Sequence, residues 1–164
     1  MLVLALGSNV GDRMANLKAA VKLLPIHNIV CSAVYESRAL LPPNAPICWD
    51  APFLNMSIAG YTHLSPMNLL EHTKEIEHAL GRYGEYKVWS PRTIDIDIAL
   101  WEGINMSSEA LSIPHAELHK RAFVLVPICD ICPRFPHTVL KSSIEDILVS
   151  TCTTDLVKKH NALM

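Results

Sequence analysis

Residues 94–98 read IDIDI. Strict alternation of β-branched and charged side chains does not fit a helical stripe and demands a strand whose two faces meet different surroundings. Ile94, Ile96 and Ile98 go to one face, Asp95 and Asp97 to the other. Aspartate is disfavoured in strands, so the pair is either a wetted outer face or a holder for something cationic. The two carboxylates stand on the order of 6–7 Å apart along such a strand, within reach of shared metal ions.

The rest of the chain supplies partners for this strand. LVLAL near the N-terminus is a short apolar run stopped by Gly7, as in a buried strand. Met14, Leu17, Val21 and Leu24 then recur at helical spacing, with Asp12 placed to cap and Pro25 to stop the helix. Residues 26–37 read as one strand and 53–61 as its partner. Between them residues 38–52, with four prolines in fifteen positions, read as a long surface loop. Ser65 and Pro66 start a second helix with an inward stripe of Leu69, Thr73, Ile76 and Leu80, ended by Gly81.

The element order is therefore β-α-β-β-α-β, that of the ferredoxin-like split motif. It predicts an α+β sandwich, an antiparallel sheet with two helices on one face, plus C-terminal additions. Among those, FVLVPI reads as a strand-like run, and residues 143–149 begin a last helix.

Composition narrows the function classes. With 164 residues, half of them hydrophobic, the chain predicts a single domain, 1–164, around one sizeable core. A net charge of −2 gives no support to wholesale nucleic-acid or membrane-surface binding, and no apolar stretch approaches the roughly 18–20 residues of a bilayer span. MLVLALGSNV has no basic flank and reads as a strand rather than a signal peptide, so a cytoplasmic protein is expected. Five irregularly spaced cysteines do not resemble a secreted disulfide framework. Cys129 and Cys132 have CxxC spacing but lack a second ligand pair, and read as small apolar fillers.

Around the aspartates the sequence is basic and aromatic. Arg82, Lys87 and Arg92 precede the acidic strand, and His115, Lys120 and Arg121 follow it. Arginine suits bidentate phosphate recognition, while magnesium prefers carboxylate and phosphate oxygens. His115 and His119 are four apart but have no obvious third metal ligand, so hydrogen bonding to phosphate suits His115 better. Phe53 and Asn55 share a strand face, an aromatic platform beside an amide, as a flat heterocycle needs. The same triplet also suits a core phenylalanine beside a strand-edge asparagine.

LALGSNVGDR, YES, FLN, ALGR, WSPRTIDIDI and IPHAELHKRAFVLVP together resemble the 6-hydroxymethyl-7,8-dihydropterin pyrophosphokinase family over nearly the whole chain. The most specific part is PRTIDIDI followed by PHxxxxxRxF. The resemblance implies a ferredoxin-like fold and transfer of diphosphate from ATP to the hydroxymethyl group of the dihydropterin, releasing AMP in folate biosynthesis. It implies that Asp95 and Asp97 hold two Mg2+ ions, and that Arg82, Arg92, Arg121 and His115 grip the phosphates. Arg82 and Arg92 would join the aspartates in catalysis. Glu77 and Ile98 would help form the ATP site, Asn55 would read the pterin edge, Phe53 and Phe123 would sandwich its ring, and Trp89 would close over the site. Some relatives are fused to a neighbouring folate-pathway enzyme.

Two departures stand out: YGEYKV at 83–88 carries only one positive charge where many relatives have more arginines, and loop 38–52 is longer and richer in proline than in the shortest family members. Two other readings share the topology. A nucleotidyl transferase or cyclase also hangs two carboxylates on such a sheet, and an RNA-recognition module uses it without catalysis.

Overall fold

The computed structural model describes residues 1–81, 90–151 and 157–160. Its central strand is β1 (Leu2–Ser8), in which Leu2, Val3, Leu4 and Leu6 are all buried because both faces of the sheet are covered. The chain continues through α1 (Arg13–Leu23), β2 (His27–Cys31), β3 (Tyr35–Ser37), β4 (Phe53–Tyr61), α2 (Pro66–Ala79) and β5 (Asp95–Trp101). Asp12 caps α1 by accepting from the Ala15 amide at 3.0 Å, and Ser65 caps α2 by accepting from Asn68 at 3.2 Å. Gly81, at φ +103°, then turns the chain away from α2.

Every adjacent pair in the main sheet is antiparallel, in the order β10-β3-β4-β1-β5, with β2 sharing the β4 edge. The tenth strand, β10 (Val157–Lys159), is an edge strand. Between β5 and β10 lie a small ribbon of β6 (Met106–Ser107) and β7 (Ser112–Ile113), then α3 (Ala122–Ile131), a ribbon of β8 (Pro136–His137) and β9 (Ser142–Ser143), and α4 (Ile144–Ser150).

Residues 26–37 do not form the single strand that their composition predicts. Asn28 sits at φ +54°, and the pairing of β2 with β4 shifts register there. Ser32 then replaces regular ladder pairing, its amide donating to the Ser57 carbonyl at 2.9 Å while its hydroxyl accepts from the Ser57 amide at 2.9 Å. Consequently β2 and β3 pair with different halves of β4.

FVLVPI is likewise helical, not a strand: it lies in α3, with Pro127 buried inside the helix. A short run that is apolar all round cannot be assigned by periodicity. The wider spacing of the buried residues Ala122, Leu125, Ile128 and Cys132 is helical.

The two expected helices, α1 and α2, cover one face, and the C-terminal helices α3 and α4 cover the other. On the first face Leu2, Leu4, Leu6, Met56, Ile58, Ile96 and Ile98 pack with Leu17 and Ala20 of α1 and Leu69 and Ile76 of α2. On the second, Val3, Ala59, Ala99 and Leu100 pack with Leu125 and Ile128 of α3 and Ile144 and Ile147 of α4. Cys132 is buried in this second core and Cys129 packs against it. Asp130 ties α3 back to the sheet, accepting from the Tyr35 hydroxyl at 2.9 Å and the Ala33 amide at 3.1 Å. Among the described residues, no helix is long and apolar enough to cross a membrane.

Candidate active site

The second face is core at one end only. At its other end β1 contributes Ala5 and Gly7, β4 contributes Phe53 and Asn55, and β5 contributes Asp95 and Asp97, all lining one cavity. Strand register sets their order: Gly7 pairs with Asn55 on one side and Asp95 on the other, while Ala5 pairs with Asp97. The amide and the first carboxylate thus flank a residue with no side chain. A Cβ at Gly7 would meet Asn55 Oδ1 at 3.3 Å and Phe53 Cδ1 at 3.4 Å, so glycine leaves room for both.

The predicted alternation in β5 holds, with Ile94, Ile96 and Ile98 buried and both aspartates on the cavity side. Burial pushes the Asp97 carboxyl above the usual carboxylate range, and the neighbouring Asp95 charge pushes it further, against His115, Lys74 and Arg121. A cation placed between the two carboxylates would relieve that repulsion.

Arg92 bridges the two halves of the cavity. Its Nε lies 3.4 Å from Asp95 Oδ2, and its guanidinium lies 5.5 Å from the centre of the Phe53 ring. Asn55 is oriented by donating from Nδ2 to the Ser37 hydroxyl at 2.8 Å, with both groups buried. His115 is held by its amide, which donates to the Ala99 carbonyl at 2.9 Å. Its Nδ1 accepts from the Glu117 amide at 3.2 Å, which leaves the ring proton on Nε2. Arg121 immediately precedes α3 and Phe123 lies in its first turn, so the start of that helix delivers both to the cavity wall.

Eight residues singled out in the sequence thus converge: Phe53, Asn55, Arg92, Asp95, Asp97, His115, Arg121 and Phe123. Glu77 and Ile98 do not join them. Ile98 is buried in the first core, and the Glu77 carboxylate accepts from the Ile96 amide at 2.8 Å while pairing with Lys74 at 3.0 Å. Arg82, Lys87 and Trp89 lie outside the described residues. Sequence reasoning missed Gly7, Ser37 and Arg38, which also line the cavity. Register is the signal for Gly7, but it becomes readable only once β1 is known to lie between β4 and β5.

A family model described as 7,8-dihydro-6-hydroxymethylpterin-pyrophosphokinase matches residues 3–133. The chain is 42% identical over 135 residues to the 2-amino-4-hydroxy-6-hydroxymethyldihydropteridine pyrophosphokinase of Bacillus subtilis, covering 79% of this chain and 76% of that one. It is also 42% identical over 135 residues to the folate synthesis bifunctional protein of Chlamydia caviae, but there spans only 30% of the relative's length. A crystal structure of HPPK-DHPS in complex with substrates superposes on 91% of this chain and 43% of its own, with a TM-score of 0.66 at 16% identity. That likeness shows a shared fold.

Proposed function

Because the chain belongs to the 7,8-dihydro-6-hydroxymethylpterin-pyrophosphokinase family, we propose that it transfers diphosphate from ATP to 6-hydroxymethyl-7,8-dihydropterin, a transferase step of folate biosynthesis. The observation that carries this reading is the row Asn55, Gly7, Asp95 across three strands. It puts a group able to read a heterocycle beside a carboxylate pair able to organise a triphosphate.

In this reading the pterin ring lies between Phe53 and Phe123, and the Asn55 amide reads its edge, held in register by Ser37. Arg92, Arg121 and His115 surround the phosphates, and family membership assigns Arg82 to the same grip and Trp89 to closing over the site. The pterin hydroxyl oxygen attacks the β-phosphorus and its proton is released to solvent, the bond from that phosphorus to the α-phosphate oxygen breaks, and AMP leaves carrying that oxygen. Charge spreads over phosphate oxygens in such a transfer, so positioned cations matter more than a covalent nucleophile.

The donor set suits magnesium. Asp95 and Asp97 offer hard oxygen ligands, and the raised Asp97 carboxyl gains by meeting a cation. Among the described residues no group of three His, Cys, Asp or Glu side chains converges, so substrate phosphates and water would complete the coordination. When bound, two such ions would neutralise the triphosphate and acidify the attacking hydroxyl.

Glu77 and Ile98 enter this reading through the outer edge of β5. The Ile96 N–H points off that edge to Glu77, and Ile98, two residues on, repeats its orientation. We therefore assign the adenine to that edge.

The sheet order, with β1 between β4 and β5 and all neighbours antiparallel, supports a ferredoxin-like core. We read 1–164 as one domain because α4 and β10, beyond the matched residues, complete the second core and extend the sheet. We propose a cytoplasmic setting on family grounds. The bifunctional relatives make physical linkage to a second folate-pathway activity part of the same proposal.

Incubation with magnesium, ATP and the hydroxymethyl dihydropterin is expected to yield AMP and the pterin diphosphate. Release of inorganic pyrophosphate instead would identify a nucleotidyl transferase, and no turnover would sink the assignment. Asp97→Ala is expected to abolish AMP release while leaving the circular dichroism spectrum unchanged; activity in that variant removes the metal role.

A further inference from the structure

Asn9 takes no part in either core and does not line the cavity, yet it is only 6% exposed and all of its side-chain polar atoms are engaged. Its amide donates to the Arg92 carbonyl at 3.2 Å, and its Oδ1 accepts from the Arg92 amide at 2.8 Å. One residue therefore holds both main-chain groups of the arginine that reaches Asp95 and Phe53. Its Nδ2 donates to the Ala51 carbonyl at 3.2 Å, two residues before Phe53. Arg13 reinforces that end of the 38–52 loop by donating to the Pro52 carbonyl at 2.8 Å, but makes no bond to Arg92.

Resting on the functional reading above, we propose that Asn9 is a positioning residue that locks the pterin wall at Ala51–Pro52–Phe53 to the phosphate-side backbone at Arg92. Only an amide meets the need, because one terminus must accept from an N–H and the other must donate to a carbonyl. The backbone groups it satisfies are partly buried, so leaving them unpaired costs more than losing a surface contact. This side chain touches the backbone on both sides of the cavity, so loss of its two ends should be separable.

Asn9→Asp keeps the acceptor for Arg92, loses the donor to Ala51 and turns a carboxylate oxygen toward that carbonyl. Asn9→Ala loses both. Three readouts separate them: equilibrium binding of the hydroxymethyl pterin, kcat for AMP release, and hydrogen exchange at the Arg92 amide. For Asn9→Asp we expect pterin affinity to fall more than about three-fold, although Arg13 still holds the loop, while the retained acceptor keeps Arg92 exchange at the wild-type rate. For Asn9→Ala we expect Arg92 exchange to accelerate, affinity to fall and kcat to drop about ten-fold. A purely structural role would lower the urea midpoint in both variants without this split, and that result overturns the proposal. If Asn9→Ala does not fold, Asn9→Asp decides: unchanged pterin affinity refutes the link to the pterin wall. Absence of AMP from the wild type would instead refute the functional reading, while exchange at Arg92 would still report the tie.

Discussion

Gly7→Ala should separate fold from function. The new Cβ would stand 3.3 Å from Asn55 Oδ1 and 3.4 Å from Phe53 Cδ1. The first distance is tighter than ordinary contact, so the Asn55 amide must give by a few tenths of an ångström, while Phe53 stands at the near edge of van der Waals contact. Asn55 cannot do so freely, because its Nδ2 is tied to Ser37 Oγ at 2.8 Å. Lengthening that bond by about 0.3 Å weakens it without breaking it and turns the amide out of line with the pterin edge it is proposed to read. Losing one hydrogen bond's net worth, about 1 kcal/mol, gives roughly a five- to ten-fold weaker pterin affinity. The backbone argues the other way: Gly7 lies in β1 and its φ is not positive, so alanine fits the strand. Restricting the unfolded chain there contributes about 0.4–1 kcal/mol to stability. Pterin titration and thermal denaturation on the same samples should therefore show weakened binding with a midpoint unchanged or raised. Unaltered pterin affinity would refute the idea that this close approach orients Asn55.

Two further perturbations probe the scaffold. Asp130→Ala leaves the buried Tyr35 hydroxyl and the Ala33 amide without their shared acceptor, and because Asp130 is itself exposed the loss should be about 1–2 kcal/mol in urea unfolding. A midpoint equal to wild type would show that α3 does not depend on this tie. His137 is 4% exposed, and burial first, then the charge of His119, pushes its pKa below the usual 6.5. The unfolded chain therefore takes up a proton before the folded protein does, and stability present above about pH 6.5 is lost as pH falls through the lower folded value. The thermal midpoint should decline on acidification below pH 6.5, and less steeply in His137→Gln; parallel profiles would assign the decline to other groups.

How much of this was readable in the chain depended on how local each signal was. The alternation at 94–98, the caps at Asp12 and Ser65 and the Ser143 start of α4 are set within a few residues, and each was legible. The break in 26–37 was not, because it depends on the Ser32 hydroxyl meeting the Ser57 amide across 25 positions of chain. FVLVPI was misassigned because its apolar character reports only burial. What makes it a helix is that the second sheet face needs a cover, which no local pattern declares. The site was legible where residue type carried the chemistry, as with Asp97 or Asn55, and illegible where backbone geometry did, as with Gly7 and Asn9.

The division of the second face into core and cavity follows from side-chain size along two strands. On β1, this face carries Val3, Ala5 and Gly7 in succession; Val3 packs beneath α3 and Gly7 floors the cavity. On β4 it carries Ala59, Ser57 and Asn55, passing from the apolar core to the amide of the site. Helix α3 begins at Ala122, just after Arg121, so its first residues meet the sheet where β1 becomes too small to fill the space. The cavity is therefore a consequence of shrinking side chains under a helix of fixed reach. Enlarging Ala5, which pairs with Asp97 and lines the cavity, would push the core into that space.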